Sequence, residues 1–234
     1  MDSKRRLCIK AFRFNLFREN CYLLWDEAGD CVIIDPGCYG VAETRMLKDS
    51  IASHGLKPRA IWLTHGHFDH VFGVAELSRE YSIPVLMSPE DKVIVQKDPE
   101  FAGPFGLEGP DNGFETVDIQ DGQILRFAQD DRGAQDDITF RVIATPGHTP
   151  GCVCFYSEAQ KLIFTGDTLF AGAIGRTDVF GGDYDKEIVS IMDRLMELPG
   201  DVDVLPGHGH PTTIAEERNT NPFLQPWGQE DDFV

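Results

Sequence analysis

Hydrophobic residues recur along the chain with two different periods, which predicts alternating strands and helices. Short runs rich in valine, isoleucine and aromatic residues end near glycine or proline and are typical of strands. Segments with apolar residues at helical spacing lie between them. The predicted order in the first part is strands at 7–14, 21–25 and 31–35, a helix at 42–53, a strand at 60–63, a helix at 71–81, a strand at 85–87 and a short helix at 90–96.

The rest of the chain is richer in strands. Residues 98–113 hold three prolines and four glycines and predict a surface loop, which in an enzyme would be placed to cover a site. After this loop we predict strands at 115–118, 123–127, 138–143, 152–156 and 162–164, a helix at 186–198 and a last strand at 202–205. Two strand-rich parts, each with helices, predict two mixed sheets face to face with helices outside, an α+β four-layer αββα sandwich.

Two acidic segments are expected to lie outside the core. The sequence Ala-Gln-Asp-Asp at 128–131 recurs at 134–137, between two predicted strands, and predicts a solvated hairpin tip over 128–137. A Ca²⁺ loop is the alternative, but the spaced carboxylates and the closing glutamate are missing. Residues 225–234 include three consecutive acidic residues and no lysine. We therefore expect one domain over 1–224 and an acidic tail over 225–234.

The net charge and the hydropathy disfavour several classes of binding partner. The 234 residues include 21 basic and 39 acidic side chains, a formal net charge of −18, which disfavours nucleic acid and anionic membrane surfaces as partners. Apolar runs such as 60–63 are much shorter than a membrane span. No apolar block follows the basic residues near the N-terminus, so a secretory signal is not visible and a cytoplasmic location is expected.

The six cysteines suggest buried thiols rather than disulfides. Four of them lie inside apolar, strand-like segments, which suits reduced and packed side chains in a chain of this length. Cys152 and Cys154 are two residues apart and would point to one face of a strand. For this pair we favour packing over metal binding.

Seven histidine and aspartate side chains follow predicted strands and form a candidate metal site. Four potential ligands occur in the segment 64–70, Thr-His-Gly-His-Phe-Asp-His, and the others are His148, Asp167 and His208. Strand ends and turns are where a scaffold presents ligands. Seven nitrogen and oxygen ligands exceed the four of a structural zinc site and suffice for two metals that share one ligand. A carboxylate is the natural shared ligand, because its two oxygens can each bind one cation.

The H-x-H-x-D-H motif at 65–70, followed in order by His148, Asp167 and His208, resembles the metallo-β-lactamase superfamily. The resemblance extends over about 7–224 and implies the αββα fold with the metals at one edge. It implies that one metal is held by His65, His67 and His148, that the other is held by Asp69, His70 and His208, and that Asp167 bridges them. The implied cofactors are two zinc ions, with iron or manganese as alternatives. Asp69 and Asp167 are then the catalytic carboxylates, which act with a metal-bridging hydroxide.

Within the superfamily, several segments resemble the glyoxalase II-like branch and its short bacterial hydroxyacylglutathione hydrolases. They are Asp167, the glycine-arginine stretch at 169–178, and Gly-His-Gly at 207–209 followed by 212–214. The resemblance implies a metal-dependent hydrolase whose partner is a small acyl thioester. The alternative is a persulfide dioxygenase of the same fold, which uses a single iron. Longer enzymes of this branch continue into a helical domain with basic glutathione contacts, so weak recognition of glutathione is expected here.

Two more residues are candidates for supporting roles. Asp35 matches the buried aspartate that the family has near its site, where it would accept a hydrogen bond from a ligating histidine. An Asx-turn before Pro36 is the alternative. Arg176 is a candidate contact for a substrate anion, and an internal salt bridge to Asp178 or Asp183 is the other interpretation. The sequence leaves the oligomeric state open.

Overall fold

The structure of the protein is a computed structural model that describes residues 6–126 and 138–225. The strands are β1 Cys8–Phe14, β2 Glu19–Trp25, β3 Asp30–Ile34, β4 Lys57–Trp62, β5 Val85–Met87, β6 Thr116–Asp118, β7 Ile124–Arg126, β8 Thr139–Ala144, β9 Val153–Ser157, β10 Leu162–Gly166, β11 Leu169–Phe170, β12 Ala173–Ile174, β13 Asp203–Pro206 and β14 Thr212–Thr213. The helices are α1 Gly40–Ser53, α2 Phe68–Val71, α3 Val74–Tyr81, α4 Lys92–Ala102, α5 Tyr184–Ser190 and α6 Ile214–Thr220. A π-helical turn, Ile191–Leu195, continues α5.

The strands form two six-stranded mixed sheets. The first sheet has the order β1-β2-β3-β4-β5-β6, and its strands from β3 onward are parallel. The second has the order β14-β13-β10-β9-β8-β7, and only β10 and β13 are parallel neighbours in it. The short strands β11 and β12 pair with each other.

The main core lies between the two sheets. Alternate residues of β2 explain this, because Tyr22 and Leu24 face the second sheet while Leu23 faces the helices. Trp62 of β4 packs its ring against Phe140 and Phe155 of the second sheet, with ring centroids 5.4 and 5.2 Å apart. Large aromatic side chains thus fill the space between the sheets.

Helices cover the outer face of each sheet. Leu47 of α1 and Leu77 of α3 pack against the first sheet. Ile191 and Leu195 of the π-helical turn, with Ile214 of α6, pack against the second. The predicted four-layer αββα sandwich is confirmed.

The predicted loop at 98–113 is wrong in its first part. Helix α4 continues to Ala102, and a 3₁₀ turn follows at Gly103–Phe105. Ile94 and Ala102 are fully buried and lie eight residues apart, which is a helical repeat. This buried face extends the helix beyond the point where glycine and proline become frequent.

The helix predicted at 71–81 begins at Val74, as α3, and Gly73 separates it from α2, which ends at Val71. A Cβ atom at Gly73 would lie 2.2 Å from Cys38 Sγ and 2.9 Å from the Pro36 carbonyl oxygen, so only glycine fits this close approach. The break thus separates α2, which carries Asp69 and His70, from α3. The helix predicted at 186–198 begins two residues earlier, and α6 was not predicted at all.

Three further expectations concern the acidic segments, the cysteines and membrane-spanning helices. The hairpin tip at 128–137 and residues 226–234 lie outside the described residues, so the domain boundaries stay a prediction. All six cysteines are free thiols, and all but Cys8 are buried. Within residues 6–126 and 138–225, no helix is both long and apolar enough to cross a bilayer.

Candidate metal centre

The structure brings all seven predicted ligand residues together at strand ends of both sheets. Residues 65–70 follow β4 of the first sheet and run into α2. The other three come from the second sheet: His148 from the loop between β8 and β9, Asp167 from the end of β10 and His208 from the end of β13. The centre therefore spans the two sheets.

His65, His67 and His148 form the first cluster. One ring nitrogen from each lies within 4.8 Å of the others. His67 Nδ1 is 2.8 Å from His148 Nε2. The buried Nε2 of His65 has no hydrogen-bond partner. Three ring nitrogens that converge in this way, one of them buried without a partner, fit a metal ion.

Asp69, His70 and His208 form the second cluster, with one ligand atom from each within 4.8 Å of the others. Asp69 Oδ2 and His70 Nε2 both lie 3.3 Å from His208 Nε2. A carboxylate and two imidazoles are a donor set that suits zinc or iron.

Asp167 lies between the two clusters. Its Oδ1 is 3.3 Å from His70 Nε2, and its Oδ2 is 3.5 Å from His208 Nε2. The same Oδ2 is 3.6 Å from His148 Nε2, which belongs to the first cluster. One carboxylate thus contacts both clusters, and the arrangement fits two metal ions with Asp167 as their shared ligand.

Hydrogen bonds that Nδ1–H donates orient four of the five candidate ligand histidines. Such bonds fix the ring orientation and leave Nε2 for a metal. The pairs are His65 with Thr64 Oγ1 at 3.1 Å, His70 with Asp35 Oδ2 at 3.1 Å, His148 with the Arg176 carbonyl at 2.7 Å and His208 with the Phe17 carbonyl at 3.1 Å.

Asp35 is buried behind the second cluster. Besides the contact with His70 Nδ1, its carboxylate accepts hydrogen bonds from Thr64 N at 2.8 Å and Thr64 Oγ1 at 2.6 Å. Both oxygens are thereby engaged. The side chain is used in holding the ligand segment rather than in a turn before Pro36.

Burial and charge set the protonation of the centre. Burial lowers the pKa of His67 to about 3, helped by the nearby His148, and lowers that of His65 well below its usual range. Both rings are therefore neutral at pH 7, which is the form that binds metals. Burial alone would raise the pKa of Asp167, but His208 and His70 outweigh it and hold the pKa well below its usual value.

Sequence reasoning missed Asp91, which joins two ligand-bearing loops. Its Oδ2 accepts hydrogen bonds from Gly66 N at 2.8 Å and Thr149 Oγ1 at 2.7 Å, and its Oδ1 accepts one from Gly151 N at 2.6 Å. A Cβ atom at Gly151 would lie 2.6 Å from Asp91 Oδ1, so a glycine is needed for this contact. No sequence signal separates Asp91 from the neighbouring exposed acids.

Two buried glutamates were also missed. Glu187 of α5 accepts a hydrogen bond from the backbone N–H of His148, and burial raises its pKa to about 8. Glu19 is fully buried, neither carboxyl oxygen has a hydrogen-bond partner, and burial raises its pKa well above the usual value. A signal for Glu19 exists, because it is the one charged residue in the otherwise buried strand β2.

The start of β2 holds the loop that carries His208. Asn20 N donates to the Gly207 carbonyl at 2.7 Å, and Asn20 Nδ2 donates to the carbonyls of Pro206 and Gly209 at 3.0 and 3.1 Å. These bonds join the first sheet to the end of β13. They fix the backbone on both sides of His208.

A cleft of about 600 Å³ opens beside the two clusters. It is lined by ligand residues, by Arg176 and by apolar side chains that include several phenylalanines. The Arg176 guanidinium pairs with Asp178, with Nε 3.0 Å from Oδ1 and an Nη nitrogen 3.1 Å from Oδ2. Asp183, the other partner considered, pairs with Lys186 instead.

Solved structures of other proteins share this architecture. The B3 metallo-β-lactamase BLEG-1 superposes with a TM-score of 0.82 at 32% identity, over 93% of this chain and 99% of that one. TTHA1623, solved in a di-iron-bound form, has a TM-score of 0.80 at 36% identity, over 92% of this chain and 100% of that one. ETHE1 from Myxococcus xanthus has a TM-score of 0.72 at 26% identity, over 92% and 83%.

Sequence comparison identifies the family. Hydroxyacylglutathione hydrolase GloC from Haemophilus influenzae is 39% identical over 214 residues, which are 89% of this chain and 93% of that protein. The family model of the metallo-beta-lactamase superfamily matches residues 15–210 and so includes the six residues of the two clusters and Asp167. On this match and on the shared fold, the chain belongs to the metallo-β-lactamase superfamily.

Proposed function

We propose that the chain is a thioester hydrolase that uses two zinc ions. His65, His67 and His148 would hold one ion, Asp69, His70 and His208 the other, and Asp167 both. The observation that carries the proposal is the position of the Asp167 carboxylate, within 3.6 Å of histidines from both clusters. The likeness to hydroxyacylglutathione hydrolase GloC supports a thioester as the substrate class.

When bound, such ions would supply a Lewis acid for the thioester carbonyl and would acidify a water molecule. Residues of the chain orient the ligands of this centre and set their protonation. Hydrogen bonds donated by Nδ1–H fix four imidazole rings. Asp69 and Asp167 stay ionised, because nearby histidines outweigh burial and lower the pKa of both carboxyl groups.

The composition of the cleft favours a thioester over an amide. Among the described residues that line it, every titratable group except Arg176 belongs to the ligand set, so no side chain is left to protonate a leaving group. A thiolate, whose conjugate acid has a pKa of roughly 8.5, departs without that help. An amine leaving group needs a proton.

The second candidate is a persulfide dioxygenase with one iron, and the likeness to ETHE1 fits it. Against it, both clusters are complete in this chain, where a single iron would need only one. We also propose a cytoplasmic location, which the six free thiols support.

Metal content and two substrates test the proposal together. Protein purified without chelators is analysed by mass spectrometry for bound metals and is then assayed on S-lactoylglutathione and on glutathione persulfide. We expect two zinc ions per chain and thioester hydrolysis with a high KM for the glutathione substrate. One iron per chain and oxygen consumption with the persulfide would favour the dioxygenase.

A further inference from the structure

Phenylalanine rings form most of the apolar wall of the cleft. They come from segments that are far apart in the chain: the β1–β2 turn, α2, α4 with its 3₁₀ turn, β11 and the loop before α5. The six rings are those of Phe17, Phe68, Phe101, Phe105, Phe170 and Phe180.

Five of the six rings form two groups, and the sixth, Phe170, lies against His208. Phe17 contacts Phe68 and Phe105 edge to face, with centroids 5.3 and 4.9 Å apart. Phe101 and Phe180 form the second group, with centroids 6.0 Å apart. Edge-to-face packing of this kind holds rings in defined positions. The cleft is therefore bordered by fixed aromatic surfaces.

Two of the rings are not needed to fill the core. Phe105 is 53% exposed and Phe180 is 42% exposed, whereas Phe68 is only 8% exposed. The free energy falls when an apolar group covers aromatic side chains that are exposed to water. Such side chains beside a metal-ligand cluster are typical of a binding surface. Their exposure points to a ligand rather than to internal packing.

The same cleft offers few cationic side chains that could bind an anionic substrate. Arg176 is the one basic residue among the described lining residues, and its guanidinium already pairs with Asp178. Lys97 is not a lining residue, but its ammonium group lies over the Phe180 ring, 4.0 Å from the centroid, so an apolar group would pack on the rest of that ring. The described lining thus offers no free cation for the carboxylates of a tripeptide.

We propose that the substrate carries an apolar group next to the thioester bond, of the size of a phenyl ring or a medium-length alkyl chain. This inference rests on the proposed function. The carbonyl would lie at the two clusters, and the apolar group would pack against Phe105 and Phe180. The shared chemistry is an apolar substituent, and it can belong to the acyl part or to the thiol part.

Two substrate series identify the part that carries the apolar group. The first series keeps one small thiol and changes the acyl group from acetyl through butyryl and hexanoyl to phenylacetyl. The second keeps acetyl and changes the thiol from a small polar one to an aromatic one. Each buried methylene contributes roughly 4-fold to binding. We expect kcat/KM to rise at least about 10-fold along one series. Equal values along both series would overturn the proposal.

Variants of the exposed rings test the same assignment. Phe105→Ala and Phe180→Ala should each remove most of the preference for the apolar substrate over the acetyl thioester of the small thiol, because each removes a ring on which the apolar group packs. Phe223→Ala is the matched control, because Phe223 is 44% exposed but does not line the cleft. A preference that survives in both cleft variants would contradict the proposal.

Binding measured without turnover separates this inference from the proposed function. Calorimetry of the metal-loaded protein should give tighter binding of phenylacetate than of acetate, and Phe105→Ala should reduce the difference. If no thioester is hydrolysed but this difference is found, the proposed function fails while the apolar cleft stands. If thioesters are hydrolysed but phenylacetate binds no better than acetate and an aromatic thiol no better than the small polar thiol, the apolar cleft fails alone.

Discussion

Glu187 Oε2 accepts a hydrogen bond from the backbone N–H of His148 at 2.8 Å. The contact links helix α5, outside the second sheet, to a residue of the first cluster. The glutamate is buried, and its other oxygen has no hydrogen-bond partner. Ionisation of the Glu187 carboxyl group therefore places a negative charge inside the protein, which is unfavourable.

Glu187 should make stability depend on pH in chelator-treated protein. Burial raises its pKa from 4.5 to about 8, so the folded state keeps a proton that the unfolded state releases between these values. The contribution to stability is full below pH 4.5 and is lost as the pH rises through about 8. The free energy of unfolding should fall by up to about 1.4 kcal/mol per pH unit in this window.

Urea unfolding of the wild type and Glu187→Gln from about pH 5 to about pH 8 measures this contribution. Glu187→Gln should lack this pH-dependent contribution, because an amide does not titrate. Glu197→Gln, at an exposed position, is the control and should behave as the wild type does. The same pH slope in all three proteins would show that Glu187 does not hold the proton.

Asp91→Asn should weaken metal binding although Asp91 contacts no metal. An amide offers one acceptor oxygen where the carboxylate now serves three donors, and a lost buried partner costs about 1–3 kcal/mol. The loops of His67 and His148 would then be held less firmly. Zinc titration with a competing chelator should give a weaker affinity. Asp49→Asn, on the exposed face of α1, is the control and should leave the affinity unchanged.

The candidate ligands and the supporting Asp35 could be named from the sequence, and the other supporting residues could not. Residues 65–70 are close in the chain, and His148 and His208 follow glycine at strand ends, so local patterns point to them. Asp91 and Glu187 act through backbone groups more than twenty residues away, and such contacts arise only when the loops are packed. The length of α4 could not be predicted either, because it depends on a buried face and not on local propensity.

Asp167→Ala should lower metal occupancy at both positions. One carboxylate contacts both clusters, so its loss removes a ligand from each ion. Mass spectrometry of purified protein should give clearly fewer than two metals per chain. His54→Ala is the control, because His54 is exposed at the end of α1 and should leave the content unchanged. Two tightly held metals in Asp167→Ala would remove the bridging assignment.

The thiols should resist alkylation in the folded protein. Burial raises the pKa of Cys31, Cys38 and Cys154 to about 12, and Cys21 and Cys152 are likewise buried. Iodoacetamide at about pH 8 should label at most Cys8 in native protein and all six thiols after denaturation, as intact mass shows. Rapid labelling of a second native thiol would contradict this expectation and would mean that the native structure opens around that cysteine.

The residues that orient His148 and His208 do so with their main chains. His148 Nδ1 donates to the Arg176 carbonyl and His208 Nδ1 to the Phe17 carbonyl, while the side chains of Arg176 and Phe17 line the cleft. Every amino acid supplies the same carbonyl oxygen. Evolution and protein engineering can therefore exchange the side chains at these two positions, and so retune which molecules enter, without taking away the groups that hold the imidazoles in place.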